Sequence, residues 1–349
     1  MINENKYRVI GLMSGTSLDG VDLAFITFTK NKTWNYELGP CKTITYPKIW
    51  KKKLNEVKQL KSFKKLDEEY GEYLSHLIKY FINKNKIKVD LISSHGHTIF
   101  HDPNKKTTLQ IGSGKIIAKK TKLLTICDFR SKDVKLGGQG APLVPIGDNL
   151  LFNQYKYCLN LGGFSNISFK KNNLRLAYDI CPVNIVLNNL SQKMNFSFDK
   201  NGNLAKSGKL NFELLKKLNS LEFYKKKGPK SLGREWVEKK IYPILRKYKN
   251  IEDILRTFTE HSAIQIASNL NKGDCLVTGG GTHNKFLIKR IKKLSDCKIH
   301  IPNKELIDFK EAMVFGLIGV LKHRNEVNCL KSVTGAKKDS SSGLIFNPY

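Results

Sequence analysis

The sequence is short of acidic residues, of arginine and of paired cysteines, and each shortage narrows what the chain can be. Asp and Glu number 30 against 61 Lys and Arg, a formal charge of +31 over 349 residues. Such a balance ordinarily points to nucleic acid or an acidic membrane. Yet only eight of the basic residues are arginine, the side chain that supplies planar forks for bases and phosphates. Lysine spread over nearly every helical stretch reads as solvated surface, and no nucleic-acid partner is expected. The seven cysteines (41, 127, 158, 181, 275, 297 and 329) are odd in number and never fall in a C-x-x-C pair. That argues against a disulfide framework and a zinc site, and for reduced thiols. No run approaches the roughly 18 apolar residues of a membrane span, and the first residues are polar, so no membrane partner and a cytoplasmic location are expected. A Walker A loop is missing as well.

What is present begins with Gly11-Leu-Met-Ser-Gly-Thr-Ser-Leu-Asp-Gly-Val-Asp22. A β-type run, 7–10, enters this loop and another, 21–29, leaves it after the turn dipeptide Asp19-Gly20. Its backbone N–H groups and the hydroxyls of Ser14, Thr16 and Ser17 can converge on one anion. A third strand over 34–46 would complete an antiparallel start. Helical spacing of Leu66, Tyr70, Leu74, Leu77, Ile78 and Phe81 predicts a helix over 66–83, preceded by another over 50–65.

A strand at 89–93 is expected to deliver Ser94-His-Gly-His-Thr-Ile-Phe-His101. Its H-x-H resembles the opening of some metal-dependent hydrolases, but no later His and Asp cluster completes a shell. His95 and His97 therefore read as polar substrate contacts or loop structure. Strands at 107–111, ending in Gln110, and at 123–127 follow. Asp128 and Arg130 stand at a strand end, where α/β folds place ligand contacts; they suit sugar hydroxyls and a carboxylate, or else pair with each other. The glycine-dense stretch 135–143 reads as a domain junction.

Strands at 156–161 and 167–170 flank Gly162-Gly-Phe-Ser-Asn166, a shorter version of the opening hairpin, so the chain reads as a duplicated domain with a cleft between its halves. Asp179 ends a strand at 176–179, just before a helix with Pro182 in its first turn; such a residue often caps the helix. Asp199-Lys-Asn-Gly-Asn203 reads as a turn. A long helix is expected over 251–270, then a strand at 275–278, the glycines Gly279, Gly280 and Gly281, a basic helix at 285–294 and an apolar helix at 309–323. Gly279–Gly281 could let a base and ribose lie against the backbone.

These motifs resemble the anhydro-N-acetylmuramic acid kinase family. The likeness is carried by the opening loop, Ser-His-Gly-x-Thr, Leu-Gln-Ile-Gly, Asp-Phe-Arg and Gly-Gly-Gln-Gly-Ala-Pro-Leu-Val-Pro. It continues in Asn-Leu-Gly-Gly-Phe-Ser-Asn, Gly-Pro-Lys-Ser-x-Gly-Arg-Glu, Thr-Gly-Gly-Gly, Glu-Ala-Met-x-Phe and Val-Thr-Gly-Ala. The resemblance implies an α/β fold of duplicated actin/hexokinase-like (ribonuclease H-like) domains with mixed sheets, divided as 1–135 with a tail at about 330–349, and 136–329. It implies ATP-dependent phosphorylation of 1,6-anhydro-N-acetylmuramic acid with hydrolytic ring opening, giving N-acetylmuramic acid 6-phosphate in peptidoglycan recycling. By the same likeness Gly15, Thr16, Ser17, Leu18, Asp19, Gly20, Val21 and Asp22 contact ATP, with Asp19 and Asp22 near Mg²⁺. Gly162, Gly163, Ser165 and Asn166 form a second phosphate hairpin, Gly279–Gly281 receive adenosine, Asp179 is the general base and Glu311 a second carboxylate. His95, His97, Gln110, Asp128 and Arg130 are the expected sugar contacts, and the sequence allows a homodimer. Two departures stand out: Asp179-Ile-Cys-Pro-Val-Asn184 lacks the family's glycines on either side of Pro182, and His97 replaces a common Gln. They leave open a second reading, a non-catalytic or sugar-independent ATP-binding module of the same fold.

Overall fold

The computed structural model describes residues 5–15, 18–57, 63–226 and 228–349. The chain divides into two compact units, Met1–Leu151 with Phe309–Tyr349, and Phe152–Asp308.

In the first unit, β1 (Lys6–Ser14), β2 (Gly20–Lys30) and β3 (Trp34–Thr45) form an antiparallel meander. Strand β4 (Leu91–Asp102) lies parallel to β1, and β6 (Leu124–Cys127) parallel to β4. Strand β5 (Thr107–Ile111) folds back on β4, while the C-terminal β12 (Leu344–Phe346) pairs antiparallel with β6. Both faces of β1 are covered, which is why it reads as a nearly continuous apolar run. Ile10 and Leu12 join Tyr70, Leu74, Ile78 and Phe81 of helix α1 (Lys64–Asn85) in one core cluster. On the other face, Gly11 admits helix α6 (Lys304–His323) so closely that a Cβ would lie 2.0 Å from the Ala312 carbonyl oxygen. Gly319 admits the Ser93 side chain in the same way.

The second unit repeats the plan. Strands β7 (Tyr157–Leu161), β8 (Phe164–Lys171) and β9 (Leu174–Pro182) form an antiparallel meander. Strand β10 (Gly273–Thr278) lies parallel to β7, and β11 (Cys297–His300) parallel to β10. Reading β3-β2-β1-β4-β6 against β9-β8-β7-β10-β11 gives the same order and the same strand directions. The duplication expected from two glycine hairpins is therefore present in topology. Helix α4 (Ile251–Ala267) is buried along most of its length in the second core, which helix α5 (Lys285–Leu294) joins through Leu287, Ile288 and Ile291, and no disulfide joins the seven cysteines.

Several boundaries differ from the sequence expectations. The division falls after Leu151 and after Asp308, rather than at 135/136 and 329/330. Residues 136–143 are no junction: Gly140 N donates to Asp133 Oδ2 at 2.8 Å and Gln139 N to the Thr334 carbonyl at 2.8 Å, which ties this stretch into the first unit. The close approach of α6 to β1 places most of that helix there too. Strand β4 continues through the histidines because β1 and β5 pair with it as far as Asp102. Likewise β9 runs on to Pro182, so Pro182 ends a strand and the helix α3 (Asn184–Gln192) starts after it. The helix expected over 50–65 is seen as Lys48–Asn55, with 58–62 outside the described residues.

Candidate functional site

In each unit the candidate residues gather at the carboxyl ends of the parallel strands, the edge where α/β sheets leave backbone groups for ligands. In the first unit β1 ends at Ser14, whose hydroxyl donates to the Gly96 carbonyl at 2.8 Å on neighbouring β4. Thr16 and Ser17 lie outside the described residues; Leu18, beyond them, takes a left-handed φ of 58°. Asp19 is exposed, and its carbonyl accepts from Tyr46 N at 3.4 Å. Gly20 and Val21 open β2, where a Cβ on Gly20 would reach within 2.4 Å of the Ile44 carbonyl oxygen. Asp22 is half-buried and held by Thr43, whose Oγ1 donates to Asp22 Oδ1 at 2.6 Å.

His95 and His97 are both buried. His97 pairs in register with Ser14 and stands edge-on to Tyr46 and Tyr70. Burial pushes its pKa down to about 4, so the ring is neutral at pH 7. Among the described residues its Nδ1 has no hydrogen-bond partner, nor has Gln110 Oε1 in β5. Gln110 Nε2 donates to Thr108 Oγ1 at 2.8 Å.

Asp128 and Arg130 do not pair with each other. Asp128 Oδ1 accepts from Ser131 Oγ at 2.5 Å, at the start of helix α2 (Ser131–Lys135). Arg130 donates through Nε to His95 Nε2 at 2.9 Å and through Nη1 to the Gly140 carbonyl at 2.6 Å. Glu311, on α6, is solvent-exposed at its side chain. Desolvation nonetheless raises its carboxyl; Arg130 draws it down, Asp22 pushes it up and Lys310 opposes.

In the second unit the turn between β7 and β8 is only Gly162-Gly163, so Ser165 and Asn166 belong to β8. Asn166 lies directly across from Asp179, and Ser165 across from Cys181, leaving Ile180 as the extra residue of a bulge. A bulge re-aims the side chains beside it. Asp179 does not cap α3, whose N-cap, Val183, makes no side-chain capping bond. Its Oδ2 instead accepts from Leu232 N at 2.8 Å, and its own amide donates to the Lys230 carbonyl at 2.9 Å. Burial raises the Asp179 carboxyl, with the Leu232 amide opposing. The segment 228–235, Gly-Pro-Lys-Ser-Leu-Gly-Arg-Glu, is one of the motifs that carry the family resemblance, but its hold on Asp179 has no sequence signal. The departures from the family pattern are absorbed by packing: Ile180, Cys181 and Val183 are each 0–1% exposed.

Gly279, at φ 86°, and Gly281 follow β10 and press against β7. A Cβ on Gly279 would sit 2.4 Å from Asn160 Oδ1, and one on Gly281 2.8 Å from Leu161 Cβ. Gly280 has open space, its nearest neighbour being Asn184 Nδ2 at 4.0 Å. Two glycine turns thus meet at one sheet edge with a bare backbone face, a cradle that side chains would fill. Asp22, a half-buried carboxylate in the strand that leaves the opening loop, suits Mg²⁺, which takes one or two carboxylates and otherwise phosphates and water. Among the described residues no group of three His, Cys, Asp or Glu gathers as an all-protein cage. No helix among them is long and apolar enough to cross a membrane.

Residues 7–348 match a family model described as anhydro-N-acetylmuramic acid kinase. A protein of that name from Mannheimia succiniciproducens is 34% identical, covering 98% of this chain and 99% of its own. Another from Pasteurella multocida is 35% identical, covering 99% of this chain and 98% of its own. Among solved structures, component A of (R)-2-hydroxyglutaryl-CoA dehydratase from Acidaminococcus fermentans aligns with a TM-score of 0.45 and 11% identity, over 89% of this chain and 96% of that one.

Proposed function

The chain belongs to the anhydro-N-acetylmuramic acid kinase family and is a kinase of that kind; from this premise we propose that it adds water across the 1,6-anhydro bond of anhydro-N-acetylmuramic acid while phosphorylating O6, with ATP as donor. The product would be N-acetylmuramic acid 6-phosphate, formed in the cytoplasm during cell-wall recycling.

The observation that carries the reading is the bulged pairing that sets Asp179 opposite Asn166 with one amide donor on its carboxylate. A carboxylate raised by burial is a stronger base, and the Leu232 amide opposes that rise by favouring the ionised form. In the proposed step Asp179 takes a proton from water as the water oxygen bonds to the anomeric carbon. The bond from that carbon to O6 breaks, and O6 receives the phosphoryl group. Bound ATP would supply the γ-phosphoryl group, and Mg²⁺ would neutralise charge on its phosphates.

The chain's own residues position and neutralise. The loop Gly15–Asp22 and the turn at Gly162-Gly163 would face phosphate, Gly279–Gly281 would receive the adenosine, and Asp22 with Asp19 would hold the metal; Ser165, fully buried with its hydroxyl donating to the Cys181 carbonyl at 3.0 Å, braces the second hairpin instead of reaching phosphate. Gln110, His97, Asp128 and Arg130 are assigned to the sugar, and Glu311 to orienting the water. A coupled ADP-release assay with and without anhydro-N-acetylmuramic acid tests this reading. Sugar-dependent ADP release is expected; sugar-independent turnover, or none, would overturn it.

A further inference from the structure

His95 was expected to touch substrate, yet both its ring nitrogens are already committed. Nδ1 lies 2.8 Å from the Gly96 carbonyl, an obligate acceptor, so Nδ1 carries the proton. Nε2 lies 2.9 Å from Arg130 Nε, an obligate donor, so Nε2 is the lone-pair nitrogen. The two bonds agree on one neutral tautomer. Burial, with Arg130 and His97 beside it, holds the ring's pKa well below its ordinary value, and the Gly96 carbonyl only partly opposes them.

The ring is also fixed by packing. Its centroid lies 4.6 Å from that of Phe315, one helical turn beyond Glu311 on α6. Ser93, two residues before His95, donates to the Phe315 carbonyl at 2.5 Å. On the far side of the guanidinium, Gly140 accepts from Nη1, and Gly140 is itself held by Asp133. Asp133 is fully buried and accepts from Thr334 Oγ1 at 2.8 Å and Cys329 Sγ at 3.0 Å. Arg130 and Glu311 interact electrostatically, as do Arg130 and Asp133.

We propose that His95 is a positioning residue for Arg130: its neutral ring, locked between the Gly96 carbonyl and Phe315, accepts the Arg130 Nε–H and holds the guanidinium toward Glu311. This deepens the kinase reading and rests on it, because it assigns His95 to the orientation of the sugar-binding Arg130 rather than to direct contact with the sugar. Without that acceptor a half-buried N–H loses its partner, and the guanidinium swings to find another.

Four variants test the proposal: H95F, H95Q, R130M and the double variant H95F/R130M. H95F, which keeps a flat ring on Phe315 but cannot accept, is expected to lower sugar-dependent kcat roughly 10- to 100-fold, the scale of one hydrogen bond to a charged group. KM for ATP should not change, and H95Q, with an amide oxygen in reach, should recover most of the loss. In the R130M background H95F should cost nothing further, as expected of two residues acting as one unit. Multiplying losses, or H95Q falling as far as H95F, would overturn the proposal.

Two spectroscopic readings stand apart from turnover. Imidazole ¹⁵N shifts of the wild-type protein should show a protonated Nδ1 and a bare Nε2, and the Arg130 Nε–H signal should lose its exchange protection in H95F. The opposite tautomer, or unaltered protection, overturns the proposal. A wild type without sugar-dependent turnover would instead sink the kinase reading, and these two signals would still decide the role of His95.

Discussion

The Leu232 amide donates to Asp179 Oδ2 at 2.8 Å, and the Asp179 amide donates back to the Lys230 carbonyl at 2.9 Å. A loop 53 positions away thus clamps both the backbone and the side chain of the proposed base. Lys230 is fixed in turn by bonds from Nζ to the carbonyls of Phe223 at 3.1 Å and Lys226 at 2.9 Å. The arrangement favours the ionised carboxylate while burial opposes it.

Asp179→Asn keeps the shape and removes the basicity. Turnover is expected to fall by about 10²-fold or more, the worth of a positioned general base, while calorimetric ATP binding stays close to wild type. The sign of the pH dependence follows from the raised carboxyl: the base works only when ionised, so wild-type kcat/KM should fall on acidification through a pKa above the ordinary aspartate value. Near-normal turnover in Asp179→Asn would remove it from the role.

Gly228→Ala probes the clamp from a distance. A Cβ there would lie 2.3 Å from Tyr178 Cδ1, so the loop must shift and the Leu232 bond lengthen or break. Losing a hydrogen bond to a charged group, about 1.5–3 kcal/mol, raises the carboxyl by roughly one to two pH units. The acid limb of kcat/KM should move up accordingly; a lower kcat with an unmoved limb would refute the connection.

Asp22→Asn tests the metal assignment. The Thr43 bond can persist with an amide oxygen, so the fold should hold while affinity for a hard cation drops. The Mg²⁺ concentration for half-maximal turnover is expected to rise about tenfold or more, with an unchanged thermal midpoint. Chelation of Mg²⁺ should abolish wild-type turnover, reversibly on adding the ion back.

Lys310→Met tests what anchors α6 next to Glu311. Lys310 Nζ and Asp148 Oδ1 are 2.6 Å apart, with side chains only 7% and 5% exposed. Removing the cation leaves a buried carboxylate without it, a loss of about 3–5 kcal/mol, readable as a lowered midpoint in denaturant. The double variant Lys310→Met/Asp148→Leu should recover much of that loss; if it is as unstable as the single variant, the charge is not the cause.

Local pattern carried much of this protein. The antiparallel meander at 7–46 follows from alternating apolar residues around Asp19-Gly20, and the helices at 66–83 and 285–294 from apolar spacing, because burial of one face is written in residue order. The two glycine hairpins disclosed the duplication for the same reason. Strand ends were less legible: β4 and β9 run on past the expected stops because neighbouring strands satisfy their backbone groups, which no local signal records.

Asp179 and Glu311 could be picked out as carboxylates in motifs, but their electrostatics could not. The bulge at Ile180, the Leu232 amide and the placement of Arg130 between His95 and Gly140 join segments far apart in sequence. His95 shows the difference most plainly. Its residue type and its place in a polar motif pointed to substrate, whereas the fold surrounds it with an obligate acceptor and an obligate donor. The sequence by itself determined which chemical groups the strand edges carry, since composition and period are local properties. Only tertiary structure decided which of those groups face ligand and which support a neighbour, because hydrogen bonds and desolvation depend on what the fold brings alongside.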